Sequence, residues 1–120
     1  MGVFEKDYLM RQVHSLAGFL AKLLLDKEEV PYEEAEEREQ TDLLFRRLQE
    51  LIAQRQLNQA EDLLYVELQP GNARYLELAI DFYDRLNQLD DETLEAADFP
   101  REEIEQGLKD IAARFGMTFA

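Results

Sequence analysis

Between Phe4 and Leu25 the apolar positions recur at steps of three and four residues, the period of an α-helix, and they predict a first helix over that stretch. At 100° per residue, Tyr8, Leu9, Met10, Val13, Leu16, Ala17, Phe19, Leu20, Ala21, Leu23 and Leu24 cover roughly 200° of its circumference. The polar remainder is a thin stripe of Arg11, Ser15, Gly18 and Lys22. A helix with one neighbour needs an apolar face only a little over about 100° wide. This helix is therefore either wrapped by two or more helices of its own chain or packed against a partner. Ala17, Gly18 and Ala21 are small enough to allow close helix–helix approach.

The same period predicts four further helices and one short turn. A second helix over about Asp42–Gln54 turns Leu44, Leu48, Leu51 and Ile52 inward and Arg46, Arg47, Gln49 and Glu50 outward. A third starts at Asn58, where Asn58 and Glu61 have the spacing of a capping box, and carries Ala60, Leu63, Leu64 and Leu68 up to Pro70-Gly71. A fourth, Asn72–Leu89, has Tyr75, Leu76, Ala79, Phe82, Tyr83 and Leu86 in register and is the expected strut of the C-terminal half. A helical turn around Glu92–Ala97 comes next. The last helix, Pro100–Phe115, has proline in its first turn, Glu102, Glu103 and Glu105 near its positive end, and Gly116 as its stop. Runs of alternating β-branched residues are missing, so the predicted class is all-α with five to six helices. At 120 residues the chain is the size of a single domain. Within it, 1–27 is the apolar N-terminal helix, 28–42 an acidic linker or helix extension, 43–116 the helical body and 117–120 a short tail.

Charge sharpens that division. The formal net charge is −14, of which residues 28–42 carry −7 and residues 81–110 carry −8, while residues 1–27 carry +1. A surface of this sign is a poor nucleic-acid binder, because phosphate attraction needs clustered Lys and Arg. Cysteine is absent and there is one histidine, which excludes disulfide frameworks, thiolate catalysis and cysteine- or histidine-rich metal centres. Glu5 and Asp7 spoil a secretory leader, and Lys6 stands where a myristoylation signal has Ser or Thr. The longest charge-free run near the N-terminus, residues 12–21, is about half of a bilayer crossing. The expected compartment is the cytoplasm.

Candidate chemistry is thin. Glu33, Glu34, Glu36, Glu37 and Glu39 form the densest carboxylate run, and on a helix Glu34 and Glu37 would share a face. They resemble half of the Mg²⁺-binding pattern of helical nucleotide pyrophosphohydrolases. The other half, Glu95-x-x-Asp98, stands far off, and no basic cluster is near for phosphates. Acidic runs of this kind read first as a solvated face or linker. Asp90, Asp91, Glu92 and Asp98 lack the glycine and alternating oxygens of a calcium loop and read as helix caps. His14 could serve as a general base, yet it stands at the edge of the apolar arc with no triad-like partner in sight, and Ser15 points about 100° away. Arg46, Arg47 and Arg55 are expected to pair with the acidic stretch before them, and Tyr75, Phe82 and Tyr83 to be core.

Two resemblances follow. Leu48, Leu51 and Ile52, the Gln56-Leu57 turn, Ala60, Leu64 and Pro70 resemble a degenerate tetratricopeptide-type hairpin, with Leu48 and Glu67 at positions where that repeat prefers small residues. Over the whole chain, Phe4-Glu5-Lys6-Asp7-Tyr8-Leu9-Met10-Arg11, the Leu-rich helix and the acidic stretch are similar to a family of small uncharacterised helical proteins from Firmicutes bacteria. That resemblance implies a fold and an origin, and no activity or cofactor. The expectation is a non-enzymatic protein-interaction or scaffold module, with no catalytic, cofactor or metal residue assigned. It pairs with a protein partner or itself through Leu9, Val13, Leu16, Ala17, Leu20, Ala21 and Leu24. The alternatives are a Mg²⁺-dependent hydrolase built on the run from Glu33 to Glu39, and a peripheral membrane protein that lays its first helix on lipid with Arg11 and Lys22 at the headgroups. The negative charge of the remaining chain disfavours the last.

Overall fold

A computed structural model describes residues 2–35 and 39–117, with the backbone alone for 2–6. Among the described residues it contains six helices and no strand: α1 (Gly2–Leu25), α2 (Gln40–Ala53), α3 (Leu57–Glu67), α4 (Ala73–Asn87), α5 (Asp91–Ala96) and α6 (Arg101–Arg114). The all-α class and the order of elements follow the periodicity.

Helix α4 is the strut. It packs on α1, α2 and α6, and α1 and α6 also pack against each other, while α2 and α3 form a hairpin that meets α4 through α2. Because it is enclosed, Asp81, Asp84 and Asn87 are buried too, and each has partners. Asp81 accepts from the Tyr32 N–H at 3.0 Å and from Arg85 Nε at 2.7 Å. Asn87 donates to the Met10 carbonyl at 2.8 Å, tying α4 to α1, and accepts from the buried Arg101. Arg101 also donates to the carbonyls of Asn87 and Leu89, satisfying the open end of α4 from the first residue of α6. None of the described buried side-chain nitrogens or oxygens lacks a hydrogen-bond partner.

The wide apolar arc of α1 is divided in two. Val13, Ala17, Leu20 and Ala21 are fully buried against the helices of the same chain, and the two alanines let those helices come close. On the opposite side, Tyr8, Phe19 and Leu23 remain exposed.

Helix ends differ from expectation in two places. The pair Asn58 and Glu61 does not cap α3, which begins at Leu57 with Gln56 as N-cap. Asn58 instead donates its amide to the Ala97 carbonyl at 2.9 Å, and Glu61 accepts from Tyr83. Tertiary partners outcompete the local cap. In the region 28–42, residues 40–42 form the first turn of α2, which starts two residues before the expected Asp42. Residues 31–35 are non-helical, and Val30 and Tyr32 are buried, so an apolar anchor beneath the charges pins this stretch to the body. Glu36, Glu37 and the last three residues of the tail lie outside the described residues.

Candidate functional site

The residues expected to meet a partner fall into two groups. Val13, Ala17, Leu20 and Ala21 belong to the core of their own chain, and Leu9, Leu16 and Leu24 are half-buried along its margin. The surface available to a second molecule is the strip beyond that margin: Tyr8, Phe19 and Leu23, exposed by 62%, 52% and 56%. At 100° per residue these three share about 60° of helix circumference, with Gln12 and Ser15 between them, and the strip runs for about 22 Å. Phe19 and Leu23 are neighbours four residues apart on this face, and Tyr8 stands on the same face eleven residues before them, beyond Gln12 and Ser15.

Polar ties hold α1 to the rest of the molecule at one end and close its C-terminal turn at the other. His14 Nδ1 lies 2.8 Å from Oδ1 of the buried Asp84, joining α1 to α4 across 70 residues of sequence. No sequence spacing could reveal that pair, which engages the one histidine of the chain. At the other end Lys22 reaches Asp26 at 3.1 Å and Glu28 at 2.7 Å. The bonds to Glu28 and Asp26 hold its ammonium pKa above the usual lysine value.

The acidic stretch behaves as a strap. Lys27 Nζ donates to the Pro31 carbonyl at 2.8 Å and to Glu77 at 3.0 Å. The Tyr32 ring stacks on Phe45 with centroids 4.8 Å apart, and the Arg74 guanidinium lies 4.5 Å over the same ring. Arg74 fans its donors to the Tyr32 hydroxyl (2.8 Å), the Glu33 carbonyl (2.8 Å) and Asp42 Oδ1 (3.0 Å). Burial raises the Asp42 carboxyl, but the bonds from the Tyr32 hydroxyl and the Glu39 and Ala35 amides, with the charge of Arg74, outweigh it. The net result is a pKa below the ordinary carboxylate value. Burial and the bond to Asp42 push the Tyr32 phenol well above its usual range.

This arrangement decides what the carboxylate run can do. Glu33 and Glu34 stand on non-helical backbone, so the shared helical face on which a paired site depends is not formed there. Glu34 makes a fork to Arg46 at 2.9 and 3.1 Å, the expected internal pairing, and Glu39 faces Arg74 at 3.4 Å. No group of three acidic or histidine side chains among the described residues is placed to hold a metal ion. A shallow open concavity lined by Arg55, Glu92, Thr93, Ala96 and Ala97 offers no converging set of catalytic groups. The aromatic residues of α4 are core: Tyr75, Phe82 and Tyr83 are all buried. No helix among the described residues is long and apolar enough to cross a membrane.

A family model matches residues 3–116, nearly the whole chain. The chain belongs to the family of unknown function DUF6483. The match takes in all of α2–α6 and the exposed strip of α1, so strip, strap and core lie within one family unit. No curated protein and no solved structure matches the chain.

Proposed function

We propose that this DUF6483 chain is a non-enzymatic interaction module of the bacterial cytoplasm that pairs with a second copy of itself through the outer face of α1. The observation that carries the reading is the aligned, exposed triplet Tyr8, Phe19 and Leu23 on a helix whose other face is already buried. Charge selects the occupant. Two chains of −14 repel, and the first 27 residues, at +1, are the segment over which two copies can meet without opposing the −7 and −8 blocks. A symmetric pair would bury the same strip twice, as closed homodimers do. The hairpin of α2 and α3, turning back over Gln54–Gln56, supports the scaffold side of the reading, because tetratricopeptide-type units present surfaces in this way.

Sedimentation velocity across the micromolar range tests the pairing. The expected result is a concentration-dependent dimer for the native chain and a monomer of unchanged helicity for Phe19→Glu and Leu23→Glu. A native chain that sediments as a monomer up to about 100 μM, a concentration at which even a weak specific dimer is populated, refutes it.

A further inference from the structure

Every connection between helices is five residues or shorter except the one from α1 to α2, which takes residues 26–39. Helix–helix connections ordinarily need about two to eight residues, and one this long is kept either for function or as a disordered linker. Its bonding decides against the linker. No backbone group of residues 28–35 bonds another backbone group among the described residues. Side chains of two helices hold Tyr32, Glu33 and Glu34 instead, in the way a groove holds a bound peptide. From α4, Asp81 accepts from the Tyr32 N–H at 3.0 Å, Glu77 accepts from the Glu33 N–H at 3.2 Å, and Arg74 donates to the Glu33 carbonyl at 2.8 Å. Positions 74, 77 and 81 share one face of α4 by helical spacing. From α2, Phe45 stacks on the Tyr32 ring, Asp42 accepts from its hydroxyl, and Arg46, one turn after Asp42, forks onto the Glu34 carboxylate. A ring at one position, the main chain at the next and a carboxylate at the third are each met by separate groups.

We propose that the α2–α4 groove is a binding site for a tyrosine-x-acidic segment of a partner protein, with the strap as its resident occupant until such a segment displaces it. The tyrosine is the anchor: Tyr32 is 5% exposed, with Phe45 and the Arg74 guanidinium against its ring. The Arg46–Glu34 fork is more open to solvent and adds selectivity rather than strength. A strap tethered at both ends acts at an effective concentration of about 1 mM or more, so a free segment making the same contacts competes poorly with the intact chain. The groove lies on α2 and α4, so this inference does not depend on pairing through α1.

The probe is a labelled peptide of residues 28–35, added to the full chain carrying Tyr32→Ala, whose strap has lost its anchor and whose groove residues are unchanged. Fluorescence anisotropy is expected to show binding at least about tenfold tighter to this variant than to the native chain. Alanine in place of the peptide's tyrosine should cost at least about tenfold. Alanine in place of the residue matching Glu34 should cost about threefold, and nothing further once Arg46→Met is added to the chain. Thermal unfolding gives the same answer if the variant is only marginally folded: a ligand of the folded state raises the midpoint, so about 1 mM of the tyrosine peptide should raise it and the alanine peptide should not. Neither binding nor a raised midpoint overturns the proposal, as does an equal response to the two peptides. Native chain that displaces the labelled peptide as well as unlabelled peptide does would mean that straps exchange between copies, and overturns it too.

Discussion

Among the described residues, three other than glycine hold left-handed backbone, and each stands within two residues of a helix C-terminus: Asp26 (φ 54°), Arg55 (φ 61°) and Asp98 (φ 54°). At the last two, the next amide reaches back six residues' span in the manner of a Schellman end, Gln56 N–H to the Leu51 carbonyl and Phe99 N–H to the Leu94 carbonyl, both at 2.9 Å. The chain uses glycine for this task only after α6, where Gly116 has φ 97°. A side chain in this conformation costs about 1 kcal/mol against glycine, somewhat less for aspartate. Asp98→Gly is therefore expected to stabilise the protein by about 0.5 kcal/mol. Thermal unfolding measures this, and a lowered midpoint would show that the aspartate makes a contact worth more than the strain. These ends also explain why several stops had no glycine signal in the sequence: Arg55 and Asp98 are tolerated there because the following hydrogen bond and the buried Leu57 and Phe99 over-determine the turn.

At the scale of elements, the strap is held by Arg74 more than by its own sequence. Replacing it with methionine keeps most of the stem but leaves the almost fully buried Asp42 without its cation and the Glu33 carbonyl without a donor. Breaking such a pair from one side is expected to cost about 3 kcal/mol, and Arg74→Lys should recover only part, since an ammonium cannot reproduce the fan of donors. Chemical denaturation measures the loss, and hydrogen exchange should place it in residues 27–35 and the start of α2. The Asp42 share has a sign of its own: with a pKa lowered in the fold, its contribution is present above the ordinary carboxylate value and lost as pH falls through the folded one. Uniform exchange across the chain in Arg74→Met would mean that the strap does not open separately.

The helices and their buried faces were legible in the sequence because α1–α4 and α6 each carry a 3.6-residue apolar period, and α4 showed its central place by having apolar residues on more than one face. The strap was not. Its anchors, Val30 and Tyr32, are two apolar residues among eight acidic ones, and their partners Phe45, Arg74 and Asp81 come from α2 and α4. Composition reported the charges on its outside and had no means of reporting the ring beneath. The strip on α1 was half legible: the excess width of the apolar arc was evident, but which part the chain would use itself depended on where α4 and α6 land.

For the whole molecule, charge and apolar surface act in opposite directions, and ionic strength separates them. A chain of −14 repels its copy wherever the acidic blocks come near, while the pairing proposed for α1 gains from burying Tyr8, Phe19 and Leu23. Salt screens the first and leaves the second nearly untouched, since the screening length shrinks from roughly 20 Å at 0.02 M to about 6 Å at 0.3 M. Self-association should therefore tighten with added salt, on the order of tenfold across that range. An interface held by ion pairs responds in the opposite direction. If dimerisation weakens with salt while Phe19→Glu still abolishes it, the strip contributes to the contact but charged partners around it decide its strength. Light scattering at fixed protein concentration in the two buffers gives the sign directly. The sign matters because it separates a chain kept apart by its acidic blocks until screened from one drawn together by them.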